Sequence, residues 1–145
     1  MLKGISPIIS PELLKALAEM GHGDELVIAD GNFPCHSVGK NSVVIRADGH
    51  GVPEVLDAIM KLIPLDTYTD KPVALMEVVK GDTCGRPEIW DKYEEILNEY
   101  EPDHHEIKFE ERFAFYERAK DAYLIIATGE SAIYANILLK KGVVK

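Results

Sequence analysis

His22 lies between two glycines, Gly21 and Gly23, and eight residues later Asp30 ends a short apolar run. Glycines on both sides leave an imidazole accessible and let backbone approach a ligand closely. An imidazole gives and takes protons near neutral pH. A carboxylate at the end of a buried strand orients hydroxyl groups or acts as a base. Each residue also has a structural reading: His22 bonded to a local carbonyl such as that of Asp24, and Asp30 closing an Asx-turn into Gly31. Gly31, Asn32 and Pro34 then form a loop carrying Cys35 and His36.

Other chemistries lack their spacing. His22, His36 and Asp48 invite a metal reading, but no HxH, HExxH or CxxC pattern occurs, so no metal site is expected. Gly21-His22-Gly23 lacks a third glycine and Gly49-His50-Gly51 lacks a P-loop lysine, so no phosphate cradle is expected. No serine sits in a nucleophile elbow. His104-His105 falls in a charged stretch and reads as solvated. Arg112 opens a helix rich in aromatics, a position from which a guanidinium can bond a hydroxyl or a carboxylate. Phe113 and Tyr116, at i and i+3, read as core packing.

These residues need a scaffold. Ser10-Pro11-Glu12 is a helix start, followed by a stripe of Leu13, Leu14, Leu17 and Ala18 that stops near Gly21. Strands are expected at Glu25–Ala29, Ser42–Arg46, Val73–Val79, Ala122–Ala127 and Ala135–Leu139, with a short one at Ile107–Phe109. Helices are expected at Pro53–Ile63, from Pro87 to Tyr100, and at Glu110–Asp121. The second of these carries the clearest amphipathic pattern: Ile89, Tyr93, Ile96, Leu97 and Tyr100. Helices alternating with branched apolar strands predict one α/β domain over residues 1–145. The expected fold is three-layered and Rossmann-like, with a mainly parallel sheet. Ligands in such folds bind at the carboxyl ends of strands, and Asp30, Asp48, Asp82 and Gly129-Glu130 each follow a predicted strand.

The 145 residues suit a single domain, and their 46% apolar and 28% charged content is that of a globular chain. A formal net charge of −9 argues against a nucleic-acid partner, which requires a basic face. No apolar run is long enough to cross a bilayer. Pro7, Pro11 and Glu12 interrupt any secretory signal. A cytoplasmic protein with two reduced thiols, Cys35 and Cys84, is the expectation.

Four segments together resemble one family. LLKALAEMGHGDELVIADGNFP, VIRADG, RFAFYERA and YANILLKKGV, in that order over nearly the whole chain, are similar to the sugar mutarotases, D-ribose pyranase and L-fucose mutarotase. RFAFYERA is closer to the fucose branch; the ribose branch has a histidine near that place. Cys35 departs from related sequences, which often carry a different residue before the histidine, and it touches no matched site position. The resemblance implies a cofactor-free isomerase that interconverts sugar anomers, with L-fucose as the expected substrate. It implies that His22 is the proton donor, that Asp30 and Arg112 bind substrate, and that the Tyr134–Ala135–Asn136 segment holds the sugar. It also implies a ring-shaped homo-oligomer, typically a decamer, with the C-terminal segment joining a site at a subunit boundary. Asp30 or Tyr134 is then a partner base or a holder of hydroxyls, and the sequence does not choose.

Overall fold

The structure is a computed structural model describing residues 1–145. Eleven elements follow in order: α1 (Pro11–Glu19), β1 (Glu25–Ala29), α2 (Cys35–Val38), β2 (Val43–Ala47), α3 (Val52–Met60), β3 (Val73–Met76), α4 (Ile89–Tyr100), β4 (Ile107–Glu110), α5 (Arg112–Lys120), β5 (Leu124–Thr128) and β6 (Ile137–Lys140). The strands form one sheet in the order β2-β5-β1-β6-β3-β4. β2, β5 and β1 run parallel, as do β3 and β4, and β6 is antiparallel to both β1 and β3. Five strands therefore point one way and a single interior strand points back. The mainly parallel α/β expectation holds.

Alternation along the strands separates two apolar layers. Leu26, Ile28, Leu124, Ile126, Ile137 and Leu139 face α1, α3 and α4. Val27, Ala29, Ile125, Ala127 and Leu138 face α5 and α2, with Phe115 and Ala119 packed on them. Helices thus cover both faces, which is why Leu26–Ala29 of β1 and Leu124–Ala127 of β5 are apolar without alternation. Ser10 caps α1 as expected, its Oγ accepting from the Leu13 N–H at 3.1 Å. No helix is long and apolar enough to cross a membrane.

Departures from the expected elements concentrate at the carboxyl edge of the sheet. α2 was not anticipated, because four residues are too few for a helical period to show. It places His36 on a helix rather than in a loop. The strand expected to reach Val79 ends at Met76, because β6 pairs only as far as Leu75↔Ile137. Beyond that point the Val79 N–H bonds the Tyr134 phenol oxygen at 3.2 Å instead of a ladder carbonyl. β6 begins at Ile137 rather than Ala135, since the Asn136 carboxamide takes over the next position, accepting from the Asp30 N–H at 2.7 Å. The His104 and His105 rings are half-buried rather than solvated, bonded to the carbonyls of Thr69 and Glu101.

Candidate active site

Because β6 is reversed, its first residues lie at the edge where the parallel strands end. Tyr134 and Asn136 therefore meet Asp30 from β1, Met76 from β3 and Arg112 at the head of α5. Together with Asn32, Phe33, Val79, Asp82, Tyr116 and Ile133 they line a cavity of about 260 Å³. A pocket of that size suits a ligand smaller than a drug molecule.

Asp30 is 7% exposed. Burial pushes its carboxyl pKa upward, against donors that favour the charged form: the backbone of Asn32, Phe33 and Ala135 and the Asn136 side chain. The Asn32 N–H bonds Oδ1 at 3.0 Å. The same turn satisfies the Asx-turn reading, so Asp30 does both jobs.

Arg112 is the first residue of α5, whose start is capped by Glu111, accepting from the Phe113 and Ala114 N–H groups. Arg46, Arg86 and Arg118 are all ion-paired with carboxylates. Arg112 is paired with none and instead lies over two rings, 5.4 Å from Phe113 and 5.6 Å from Tyr116. A guanidinium held on aromatic faces keeps its donors available. This overturns the core-packing expectation for Phe113 and Tyr116. Phe113 is 65% exposed, and Tyr116 is a half-buried wall of the cavity.

α4 fixes the Tyr134–Asn136 segment. Trp90 Nε1 donates to the Tyr134 carbonyl at 2.8 Å, and the Tyr93 hydroxyl donates to the Ala135 carbonyl at 2.6 Å. Ala135 is buried and contributes only backbone. Tyr134 holds a φ of +55°, a costly region for a residue other than glycine. Its phenol is tied as well, donating to Asp82 Oδ2 at 2.6 Å. That bond lowers the Asp82 pKa and raises that of Tyr134, so the phenol stays protonated at neutral pH. Asp82 and Tyr116 are members of the cavity that sequence reasoning missed as site residues. Asp82 carried a signal, since it follows a predicted strand; Tyr116 carried none.

His22 is not in this cavity. It precedes β1, whereas Asp30 follows it, and the five residues of β1 alone rise about 16 Å. The stretch from Met20 to His36 therefore reaches both edges of the sheet and is not one site. At the opposite edge the His22 ring is 45% exposed, and Nε2 lies 2.9 Å from Oδ1 of Asp66, 44 residues away. Its partner is thus not Asp24, which caps the Gly21 N–H at 2.7 Å. His36 and Asp48 stay at the carboxyl edge, joined through Arg46, so the His22, His36, Asp48 grouping does not form. Burial pushes the Cys35 thiol up to about 11, and both cysteines are free.

A cavity that combines a carboxylate, a guanidinium, a carboxamide and a phenol with apolar residues marks an α/β protein with room for a small polar ligand. The chain belongs to the RbsD/FucU transport protein family, whose profile matches residues 3–144. It is 60% identical to a crystal structure of FucU from Bifidobacterium longum, with a TM-score of 0.95 over 99% of this chain and 100% of that one. It is 50% identical to the fucose mutarotase of Streptococcus pneumoniae crystallised in complex with L-fucose, with a TM-score of 0.92 over 99% and 100% of the two chains. The fucose mutarotase of Danio rerio is 54% identical over 99% of this chain and 95% of its own.

The raised pKa of Asp30 has a measurable consequence. A carboxyl whose pKa is higher folded than unfolded contributes stability at acid pH and loses it as pH rises through the folded value. Asp30→Asn mimics the neutral form. Its melting temperature relative to wild type is expected to climb between about pH 4 and pH 7 in scanning calorimetry. A relative melting temperature that falls over that range would contradict the burial argument.

Proposed function

We propose that this chain is a cytoplasmic L-fucose mutarotase, an isomerase that interconverts the α and β anomers by opening and closing the sugar ring. The observation that carries the reading is the cavity of Asp30, Arg112, Tyr134 and Asn136, in a chain half identical to a protein crystallised with L-fucose. Arg112 and Asn136 offer donors, and Asp30 offers an acceptor, for the ring of hydroxyls. The Ala135 backbone holds the two ends of the Tyr134–Asn136 segment in place. Met76, Val79 and Ile133 give the methyl carbon of a 6-deoxy sugar an apolar surface.

The chemistry needs proton transfer and nothing redox. A base takes the anomeric O–H proton while an acid protonates the ring oxygen. The bond from C1 to the ring oxygen breaks and C1 becomes an aldehyde. After rotation about C1–C2, the same hydroxyl adds to the other face and the protons return. His22 serves as the proton carrier. Acid–base assistance of about 10²–10⁴-fold is appropriate to a reaction that already proceeds in water.

His22 reaches the sugar from a neighbouring subunit. One chain carries the cavity at one edge of its sheet and the histidine at the other, so a head-to-tail contact brings the two together. Such contacts form a ring when the rotation between subunits closes, and a decameric ring is the assembly proposed. Exposed apolar residues occur beside both halves: Phe113 and Ile133 by the cavity, Tyr68 and Val144 toward the His22 edge.

NMR exchange spectroscopy tests the activity. Enzyme-dependent exchange between the anomer signals of L-fucose is expected, reduced by about 10²-fold or more in His22→Ala with sugar affinity retained. Exchange with D-ribose and silence with L-fucose would identify a ribose pyranase instead. Equal rates for wild type and His22→Ala would remove the histidine from the chemistry. Light scattering is expected to show a ring-sized particle at micromolar concentration, and a monomer would contradict the shared site.

A further inference from the structure

One turn grips the Tyr134 phenol from two sides. The Val79 N–H donates to its oxygen at 3.2 Å, and the phenol donates to Asp82 Oδ2 at 2.6 Å. Val79 and Asp82 are the two ends of that turn, which the Asp82 N–H closes by donating to the Val79 carbonyl at 3.0 Å. Gly81 makes the turn possible, because its φ of +94° is one that side chains rarely adopt. The chain beyond is tied to the same residue: Trp90 donates to the Tyr134 carbonyl, and Arg86 lies 5.5 Å over the Trp90 ring. Arg86 is paired with Asp91, and none of the chain's lysine or arginine ion pairs involves Asp82. The Tyr134 bond, with the Thr83 and Cys84 amides, holds the Asp82 carboxyl below its ordinary range against desolvation. Asp82 and Tyr134 both line the cavity. The other titratable groups facing it are Asp30, Arg112 and Tyr116, with Cys84 beside the pair.

We propose that Asp82 is the positioning residue of Tyr134: it takes the phenolic hydrogen, so that Tyr134 meets the sugar as a hydrogen-bond acceptor and not as an acid. This rests on the cavity being the sugar site. A phenol has one hydrogen to donate and two lone pairs with which to accept. The hydrogen goes to Asp82, which as an ionised carboxylate only accepts, and one lone pair goes to the Val79 N–H. One lone pair is left for a sugar hydroxyl, and a phenol that donates to a carboxylate accepts the more strongly. Asp30 offers a second acceptor and Arg112 the donors. To protonate the ring oxygen, Tyr134 would have to break its bond to Asp82, and that bond raises its pKa and weakens it as an acid. To serve as a base, it would have to pass its own proton to Asp82, whose lowered pKa makes it a poor recipient. Of the two roles open to Tyr134, partner base or holder of hydroxyls, the turn favours the holder. No proton changes hands between Asp82 and Tyr134 during turnover.

Tyrosine-selective ¹³C NMR of the assembled protein without sugar, with the Tyr134 signal assigned from Tyr134→Phe, follows ionisation of the phenol. Wild-type Tyr134 is expected to ionise above the ordinary phenol value of about 10, and at lower pH in Asp82→Asn than in wild type. Anomer exchange measured across L-fucose concentrations reads the role. Asp82→Asn is expected to raise KM about 3- to 10-fold and to change kcat less than about twofold, with part of the KM recovered in Asp82→Glu. Because Asp82 acts through Tyr134, adding Asp82→Asn to Tyr134→Phe is expected to raise KM no further. Additive effects would overturn the proposal by making Asp82 a sugar ligand in its own right. So would a Tyr134→Phe that binds sugar and loses about 10²-fold in kcat, the mark of a proton donor. A wild-type Tyr134 that ionises at or below the ordinary value would overturn it whether or not any variant folds. A wild type silent on L-fucose, with the Tyr134 titration as expected, would sink the sugar reading and the proposal with it, while leaving the bond itself intact.

Discussion

The structure depends on one constraint: β6 runs backwards through the interior of a sheet whose other strands are parallel. A reversed strand carries its own first residues to the edge where its neighbours end. That is why Tyr134 and Asn136 meet Asp30 without a long loop. The same reversal sends Lys140 and Lys141 to the far edge, where their carbonyls receive the Asp66 and Gly23 amides. One short strand thus holds cavity-lining groups at one end and the backbone beside the histidine at the other. Ile137, Leu138 and Leu139 between them are fully buried, so neither end can shift alone.

Each polar group in the cavity is held by something that is not ligand. The Asn136 carboxamide replaces a ladder bond, Tyr93 and Trp90 grip the carbonyls beside it, and Asp82 anchors the Tyr134 phenol. The positive φ of Tyr134 persists because these bonds determine the segment from several sides. Such preorganisation reduces the cost of ordering side chains when a sugar arrives. Arg112 is kept free of carboxylates in a chain of net charge −9, which leaves its donors unpaired at the cavity.

Much of this was legible before the structure. Branched runs at Glu25–Ala29 and Ala122–Ala127 announced buried strands because helices cover both faces of the sheet. The α4 stripe was clear, though its second role was not: the hydroxyl of Tyr93 reads as one more apolar position in a periodicity. Asp30 and Arg112 stand out by residue type and position, Tyr134 and Asn136 only by resemblance, and all four line one cavity. What the sequence hid is direction and distance. Period-two patterns carry no strand orientation, so the reversal of β6 was invisible, and with it the parting of His22 from Asp30. Proximity in sequence made those two look like one site, although a strand stands between them. Asp66 was unreadable because its partner is 44 residues away and no periodicity links them.

The central claim is that a working site takes its cavity from one subunit and His22 from the next. Hybrid assemblies test it directly. His22→Ala and Asp30→Ala are each inactive on this account, yet they carry complementary intact halves. Unfolding and reassembling them together in equal amounts should restore about one quarter of the wild-type exchange rate for L-fucose, since random placement in a head-to-tail ring pairs both intact halves at about one contact in four. Mixtures that reassemble fully and remain as inactive as either parent would show that the histidine and the cavity act within one chain, and would contradict the account.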